Sequence, residues 1–319
     1  MRRIISVIIG ILFSGHMMYS QSRAGNEDGI LIMFWNTENF FDWRDGGGGE
    51  SDQEFSSAGV RHWTRKRFYA KCRAIAKTVL WEESVFGSLP DIIGLAEVEN
   101  AFVLRQLLSS TILRKLDYGT VHYDSPDPRG IDCALLYRKN RVKLLDSVPF
   151  RVEAPGLVTR DILGCCFLTE GGDSLSVLVN HHPSKYGGGE DWRRDTAAKR
   201  LRELSDSLSY AGFDKRVAIG DFNDGPQSQS LSFLPPSLIH CRRTGHDGSI
   251  RFNGEWELID LCFVSPALAG AAEYEVSAVP FLTARDAAHS GEKPLRTYSG
   301  PRYLGGVSDH YPIVVRIQM

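Results

Sequence analysis

The stretch DIIGLAEVEN, residues Asp91 to Asn100, is apolar at successive positions until Glu97 interrupts it. A strand that is apolar on both pleat faces is typical of a sheet covered on both sides by other layers. Similar short runs, rich in β-branched and aromatic residues and bounded by turn formers, predict six further strands. These are LIMFWNT (31–37), DCALLYR (132–138), LSVLVNHH (175–182), RVAIGDF (216–222), LIDLCFVS (258–265) and YPIVVRI (311–317).

Helical periodicity occurs in two segments between these strands. From Lys66 to Leu80, apolar residues including Phe68, Cys72 and Ile75 recur on one helical face, and a second stripe extends over residues 191–208. Strands and helices alternate without a composition break, an internal repeat or a long linker. We therefore expect one mixed α/β domain over residues 27–319.

The composition is that of an ordinary globular protein, with 42% hydrophobic and 24% charged residues among 319. A net charge of −2 gives no global attraction to nucleic acid or anionic membrane, so any such attraction must be local. The six cysteines contain no CxxC pair, which disfavours a structural zinc site. They either form disulfides, whose connectivity the sequence does not define, or serve as small buried side chains.

The N-terminus has the pattern of a secretory signal peptide. Arg2 and Arg3 precede an apolar run from Ile4 to Phe13, and small and polar residues follow it. We predict a signal peptide at residues 1–20 and export to the periplasm or the extracellular space. The alternative is that this segment is retained as an N-terminal anchor.

Polar side chains recur at or near the ends of the predicted strands. Burying a carboxylate in an apolar strand is costly unless it is paired, hydrogen-bonded or bound to a cation. For any one of these residues, a turn or a helix cap is a sufficient explanation. That explanation does not account for their recurrence in strand after strand. The residues are Asn36, Glu97, Asn180, His181, His182, Asp221, Asn223, Asp260, Asp309 and His310.

If these strand ends meet at one edge of the sheets, they form a cluster of carboxylates, amides and imidazoles. Such an oxygen-rich set suits a hard divalent cation, Mg²⁺ or else Mn²⁺ or Ca²⁺. An imidazole beside the cation can accept a proton from water. The chemistry that this combination indicates is metal-assisted hydrolysis of a phosphate ester.

Seven motifs, in order along the chain, resemble those of the endonuclease/exonuclease/phosphatase superfamily, which includes DNase I-like nucleases and sphingomyelinases. The motifs are WNTEN, GLAEVEN, DPRGIDCALLYR, VNHHPSK, GDFND, LIDLCF and GVSDHYP, and they extend from about residue 30 to the C-terminus. One motif alone would be weak evidence, whereas seven in family order are specific. The resemblance implies a DNase I-like α/β fold, a four-layer α/β/β/α sandwich with two mixed β-sheets flanked by helices.

The resemblance also implies roles for individual residues. Glu97 resembles the principal metal ligand, with Asn36 and Asp309 nearby. His310 resembles the base that activates water, oriented by Asp260.

Three further positions complete the catalytic set that the resemblance implies. Asp221 and Asn223 match the pair that positions the reacting groups, and His181 matches a phosphate-contacting histidine. The neighbouring His182 leaves the choice between the two imidazoles open.

Two residues are candidates for substrate binding. Arg129, in SPDPRGID, lies where a basic or phenolic side chain often meets the phosphate in this superfamily, and Tyr123 is the second candidate. A surface position for Arg129 is the alternative. The neighbouring Asp132 either forms a salt bridge or loop hydrogen bond or takes part in catalysis.

The substrate is less well defined. RHWTRKRFYAK (61–71) interleaves cations with aromatic residues, as in nucleic-acid contacts, but an amphipathic helix with a solvated face explains it better. Lys185, Arg193 and Arg194 follow the candidate histidines directly. The long non-periodic loop at residues 283–306 is of a kind that is often functional.

An exported nuclease that cleaves DNA or RNA is the leading interpretation. The first alternative is a phosphodiesterase or phosphatase that acts on lipid head groups or small phosphate esters. The second is a binding module without activity. The sequence does not define the oligomeric state.

Overall fold

Two large β-sheets and four α-helices make up residues 29–185 and 191–319, the part of the chain that this computed structural model describes. The predicted signal peptide, residues 1–20, lies outside the described residues. The helices are α1 (Glu50–Glu54), α2 (Arg65–Phe86), α3 (Ala101–Ser110) and α4 (Asp191–Tyr210), and short 3-10 turns occupy Ile112–Lys115, Ser230–Phe233 and Pro280–Leu282.

The strands follow in chain order and include all seven that the sequence predicts. They are β1 (Gly29–Phe40), β2 (Ile92–Val98), β3 (Tyr118–His122), β4 (Asp132–Arg138), β5 (Val142–Phe150), β6 (Ile162–Thr169), β7 (Ser174–His181), β8 (Arg216–Asp221), β9 (Ile239–His240), β10 (Arg242–Gly245), β11 (Ile250–Phe252), β12 (Glu255–Glu257), β13 (Asp260–Val264), β14 (Ala272–Val276), β15 (Thr283–Arg285), β16 (Glu292–Pro294), β17 (Tyr298–Ser299), β18 (Arg302–Tyr303) and β19 (Ile313–Gln318).

The first sheet has seven strands in the order β10-β14-β19-β1-β2-β4-β3, and the second has six in the order β5-β6-β7-β8-β13-β9. β1 and β2 are parallel, as are β7 and β8, so both sheets direct strand carboxyl ends toward one edge. β19 is antiparallel to β1, with Gly29 opposite Gln318 at the far end of the sheet. The residues just before β19 therefore lie at the same edge as the end of β1.

Alternate side chains of β1 enter different cores. Leu31, Met33 and Trp35 pack with the apolar side of α2, whereas Ile32 and Phe34 pack against the second sheet. This period of two explains why the strand is apolar at nearly every position. A third core lies between the outer face of the second sheet and α4. The layers are thus helices, sheet, sheet and helix, and the predicted four-layer α/β fold is confirmed.

The two predicted helices are confirmed. α2 begins after Thr64, whose side chain accepts a hydrogen bond from the Arg67 N–H, and ends at Gly87 with φ +81°. Capping by a threonine hydroxyl and a left-handed glycine is the usual way to satisfy helix ends. Trp63 and Phe68 are fully buried, so they serve the core rather than a nucleic-acid surface.

All six cysteines are free, and Cys166 is the one that is only partly buried. They act as small core side chains in this structure. None of the helices in the described part of the chain has the length and apolar character that crossing a membrane needs.

Candidate active site

Strand pairing in the second sheet brings three of the predicted site residues together. Asp221, the last residue of β8, is paired with His181 on β7 and with Asp260 on β13. All three side chains are buried. The register of two strand pairs is therefore sufficient to place an imidazole and two carboxylates side by side.

In the first sheet, an irregularity between β1 and β2 positions Asn36 and Glu97. The register of the pair shifts after Asn36, and Glu38, Asn39 and Glu97 have positive φ values of 44°, 53° and 62°. Non-glycine residues rarely adopt this conformation, and such strain is often found at functional sites. The Glu38 N–H donates to Asn36 Oδ1 at 3.0 Å, and the Asn39 N–H donates to Glu97 Oε2 at 2.7 Å.

Asn36 connects the two sheets. Its Nδ2 donates to Asp221 Oδ2 at 3.0 Å and lies 3.5 Å from Glu97 Oε1. His181 Nε2 lies 3.6 Å from Asp221 Oδ2 and 4.0 Å from Glu97 Oε1. Burial, together with the charges of Arg160 and Arg129, holds the pKa of His181 well below its ordinary value, so this imidazole is neutral at neutral pH.

His310 is paired with Asp260. Its Nδ1 lies 2.7 Å from Asp260 Oδ2, and its Nε2 lies 3.9 Å from Asp221 Oδ2 and 4.0 Å from Asp309 Oδ1. Burial lowers the pKa of His310, but the charge and hydrogen bond of Asp260, aided by Asp221 and Asp309, reverse this effect and hold the pKa well above its ordinary value. Because Asp260 occupies Nδ1, the nitrogen that faces the other carboxylates is Nε2.

Negative charge accumulates at this edge. Burial raises the pKa of Asp221 to about 7, although the charge of His310 and the hydrogen bond from Asn36 oppose the change. Asp260 Oδ1 is buried without a hydrogen-bond partner among the described residues. The carboxylates of Glu97 and Asp309 extend the cluster and are both partly exposed. The site therefore resembles an incomplete ion cage rather than a closed salt-bridge network.

This donor set fits a hard divalent cation. The oxygens of Glu97, Asp309 and Asn36 are the ligand type that Mg²⁺ and Ca²⁺ prefer. Ligand atoms of Asp221, Asp260 and His310 also lie within 4.8 Å of one another. That second set is less suitable, because Asp260 already binds His310 and Asp221 already accepts from Asn36.

The two neighbouring histidines, His181 and His182, have different environments in the structure. His182 is fully buried, its ring packs edge-on against Phe222 with centroids 4.7 Å apart, and both of its ring nitrogens lack hydrogen-bond partners among the described residues. Burial lowers the pKa of His182 to about 3. Its carbonyl oxygen accepts from Asn223 Nδ2 at 2.9 Å. His182 thus orients Asn223 through its backbone, while His181 faces the carboxylates.

The two predicted substrate-binding residues lie differently. Arg129 is partly exposed beside Asp127, with 3.3 Å between its Nε and Asp127 Oδ1, and its charge acts on His181. Tyr123 instead bonds through its hydroxyl to Ser147, at 2.9 Å from the carbonyl oxygen. Asp132 accepts hydrogen bonds from the Ser125 N–H and pairs with His122 at 3.0 Å.

Four residues outside the predicted set, Arg296, Glu38, Lys71 and Thr297, support this edge. Arg296 Nη2 contacts both Glu38 Oε1 at 2.7 Å and Asp309 Oδ2 at 3.0 Å. The buried ammonium of Lys71 donates to the Glu38 carbonyl oxygen and to Thr297 Oγ1. Burial lowers the pKa of Lys71 to about 8 and, together with the charge of Asp309, raises the pKa of Glu38 to about 7. Lys71 was detectable in the sequence, because it lies on the apolar face of α2 with Phe68, Cys72 and Ile75.

Sequence comparison extends over the same region as the two sheets. The model of the endonuclease/exonuclease/phosphatase family matches residues 31–235 and 237–319. The chain belongs to this family. Members of the endonuclease/exonuclease/phosphatase family are divalent-metal-dependent hydrolases of phosphoester bonds, which agrees with the donor set described above. A search of curated proteins found no match to this sequence.

Solved structures of the endonuclease/exonuclease/phosphatase fold superpose over most of the chain. The human nocturnin catalytic domain is 20% identical, with a TM-score of 0.58 over 91% of this chain and 94% of that one. A family member from Bacteroides thetaiotaomicron is 16% identical, with a TM-score of 0.59 and coverages of 91% and 97%. A mannosyl-6-phosphatase from the same organism is 17% identical, with a TM-score of 0.58 and coverages of 90% and 98%. At these identities the likeness establishes the fold alone.

Proposed function

We propose that this protein is a nuclease that hydrolyses phosphodiester bonds of DNA or RNA with Mg²⁺ as its cofactor, Mn²⁺ and Ca²⁺ being the alternatives. The observation that carries the proposal is the pairing of His310 Nδ1 with Asp260 Oδ2 at 2.7 Å, which directs Nε2 toward Asp221 and Asp309. An imidazole held in this way can accept a proton from water at the metal-binding edge.

In this proposal Glu97, Asp309 and Asn36 hold the cation. When bound, such a cation would polarise a phosphoryl oxygen and offset the negative charge that raises the pKa of His310. His310 Nε2 then accepts the proton of the attacking water, and Asp260 fixes the tautomer and stabilises the imidazolium.

The remaining residues orient the substrate. Neutral His181 donates a hydrogen bond to the phosphate from Nε2. Asp221 and Asn223 position the water or the leaving oxygen, and Arg129 neutralises phosphate charge.

The likeness in fold to a mannosyl-6-phosphatase makes small phosphate esters the main competing substrates. The wild-type protein and its His310→Ala variant should be assayed on plasmid DNA, RNA, sphingomyelin, mannose 6-phosphate and bis-p-nitrophenyl phosphate, with Mg²⁺ and with EDTA. Cleavage of DNA or RNA that EDTA and His310→Ala both abolish is the expected result. Turnover of only the lipid or only the sugar phosphate would contradict the nuclease assignment, and no metal-dependent turnover at all would indicate a binding module.

We also propose that residues 1–20 are a signal peptide and that the protein is exported. The support is the sequence alone, with Arg2 and Arg3 preceding the apolar run Ile4–Phe13. N-terminal sequencing of protein recovered from the periplasmic and culture fractions tests this. Recovery only from the membrane, with Met1 intact, would indicate a retained anchor instead.

A further inference from the structure

The helices that cover the outer face of the first sheet carry a group of cationic side chains that do not form ion pairs with described carboxylates. We define the basic face by Arg65, Lys66, Arg73 and Lys77 of α2, Arg105 of α3 and Arg114 of the following 3-10 turn. All six are exposed, and none forms an ion pair with a carboxylate in the described ranges 29–185 and 191–319. The exposed carboxylate on α2 is Glu83, in the last turn, and α3 has none.

The helix on the opposite side of the molecule gives an internal comparison. On α4, Arg200 pairs with Glu203 at 2.9 Å and Arg202 pairs with Asp206 at 3.7 Å. Charges that serve only solubility are commonly interspersed with opposite charges in this way. The basic face lacks that compensation, although the whole chain carries a net charge of −2.

The surface between these cations is grooved. A groove of about 410 Å³ is lined by Arg73, Lys77 and Arg114 together with Ser110 and Thr111. A second, of about 750 Å³, is lined by Arg105 and Arg114, and also by Lys139, which pairs with the groove residue Asp117 at 3.3 Å. Cations and hydroxyls around a groove are the groups that proteins use to bind phosphate oxygens.

The basic face begins beside the candidate active site. α3 starts four residues after Glu97, and α2 also carries Lys71, which donates to the Glu38 carbonyl oxygen. Near this end the Arg65 guanidinium lies over the Trp43 ring at 5.6 Å. Arg65 and Lys77 are twelve residues apart, or about 18 Å along α2 at ~1.5 Å per residue. That span corresponds to about five base pairs of a duplex at ~3.4 Å each.

We propose that the basic face binds the phosphate backbone of a nucleic-acid substrate outside the catalytic site. The proposal rests on the nuclease function proposed above and adds a surface that holds a polymer but that a small phosphate ester does not need. An anionic membrane is the less favoured partner, because the cations line grooves and Ile112 is the large apolar side chain exposed among them.

The test compares two triple variants of equal charge change. The first is Arg73→Gln, Lys77→Gln and Arg114→Gln on the basic face, and the control is Lys199→Gln, Arg200→Gln and Arg202→Gln on α4. Affinity for a fluorescent 30-nucleotide DNA is measured by anisotropy in EDTA over a range of salt concentrations. Hydrolysis of bis-p-nitrophenyl phosphate with Mg²⁺ is measured in parallel.

The basic-face variant should bind the oligonucleotide at least tenfold more weakly, and its slope of log K against log[salt] should be shallower by about 2 to 3. Its hydrolysis of bis-p-nitrophenyl phosphate should equal that of the wild type. Sedimentation with phosphatidylserine vesicles measures membrane binding of the same variants. Unchanged oligonucleotide affinity, an equal loss in the α4 control, or a loss of vesicle binding without a loss of oligonucleotide binding would each overturn the proposal. Failure of the nuclease function would show differently, as a wild-type protein that does not cleave DNA or RNA with Mg²⁺.

Discussion

Arg296 joins two acidic side chains that belong to distant parts of the chain, with Nη2 at 2.7 Å from Glu38 Oε1 and 3.0 Å from Asp309 Oδ2. Glu38 follows Asn36, one of the proposed metal ligands, on β1, whereas Asp309 precedes β19. The guanidinium therefore holds together the two segments that carry the proposed metal ligands Asn36 and Asp309.

Replacing Arg296 with Ala should raise the Mg²⁺ concentration for half-maximal activity by about tenfold or more, because residues that orient metal ligands typically contribute 10–100-fold to affinity or activity. Arg296→Lys should recover only part of the Mg²⁺ affinity, because the ammonium keeps the positive charge but lacks the planar fork of the guanidinium. Titration calorimetry of Mg²⁺ into each variant provides a readout that does not depend on turnover. Arg302→Ala, at an exposed position of the same loop, is the control. An Arg296→Ala variant with unchanged Mg²⁺ affinity would contradict this role.

Removing the proposed base should reduce turnover much more than it reduces stability. We expect His310→Ala to lower kcat by about 10²- to 10⁴-fold, the usual contribution of general acid–base catalysis. Asp260→Asn should also lower kcat, because the amide does not stabilise the imidazolium. Thermal unfolding of each variant checks that the fold is retained. Near-normal kcat in a folded His310→Ala protein would show that another group activates the water.

The two adjacent histidines should respond oppositely to substitution. His182→Phe should keep kcat/KM within about threefold of the wild type. It should also raise the free energy of unfolding by about 1 kcal/mol, because it removes a buried imidazole whose nitrogens lack partners. His181→Phe should reduce kcat/KM by more than about tenfold, since it removes a hydrogen bond to the phosphate. Urea unfolding and steady-state kinetics measure the two effects. A catalytic loss confined to the His182 variant would reverse the assignment.

Glu82 should make the protein less stable as pH rises. Burial raises its pKa from the ordinary 4.5 to about 7, and Oε2 accepts a hydrogen bond from Ser277 Oγ at 3.1 Å. The folded state therefore retains a proton that the unfolded state loses between these values, and stability falls through this window. The Glu82→Gln variant should gain about 2 to 3 kcal/mol relative to the wild type between pH 5 and pH 8. Urea unfolding at both pH values tests this, with Glu83→Gln as the exposed control.

The seven strands that the sequence predicts are those with strong apolar patterns, and all seven are present. β5 and β6 are among the other strands, which were not predicted. β5 contains Asp146, Ser147 and Pro149, which are tolerated because it is an edge strand. β6 contains Gly164, where the Phe150 ring fills the space that a Cβ would need. The edge position of β5 and the packing of Phe150 beside Gly164 both depend on neighbouring strands, so the local sequence does not reveal them.

The convergence of polar strand ends was predictable because parallel strands direct their carboxyl ends to one edge. The contacts of Lys71 and Arg296 that support this edge were not predictable, because they join residues far apart in the chain. Lys71 and Thr297 are separated by 226 positions, and only the folded chain places them 2.9 Å apart. The hydrogen bond of the Tyr123 hydroxyl to Ser147 is another contact that the sequence does not indicate. The catalytic and ligand roles stay predictions until the variants above are measured.

The pairing of Gly29 with Gln318 has a practical consequence. The start of β1 and the end of β19 lie at the end of the sheet opposite the edge where Asn36 and His310 lie. An affinity tag, a surface linker or a fluorophore attached at either of these points would leave that edge unobstructed. Immobilised protein should therefore remain accessible even to a long polymer.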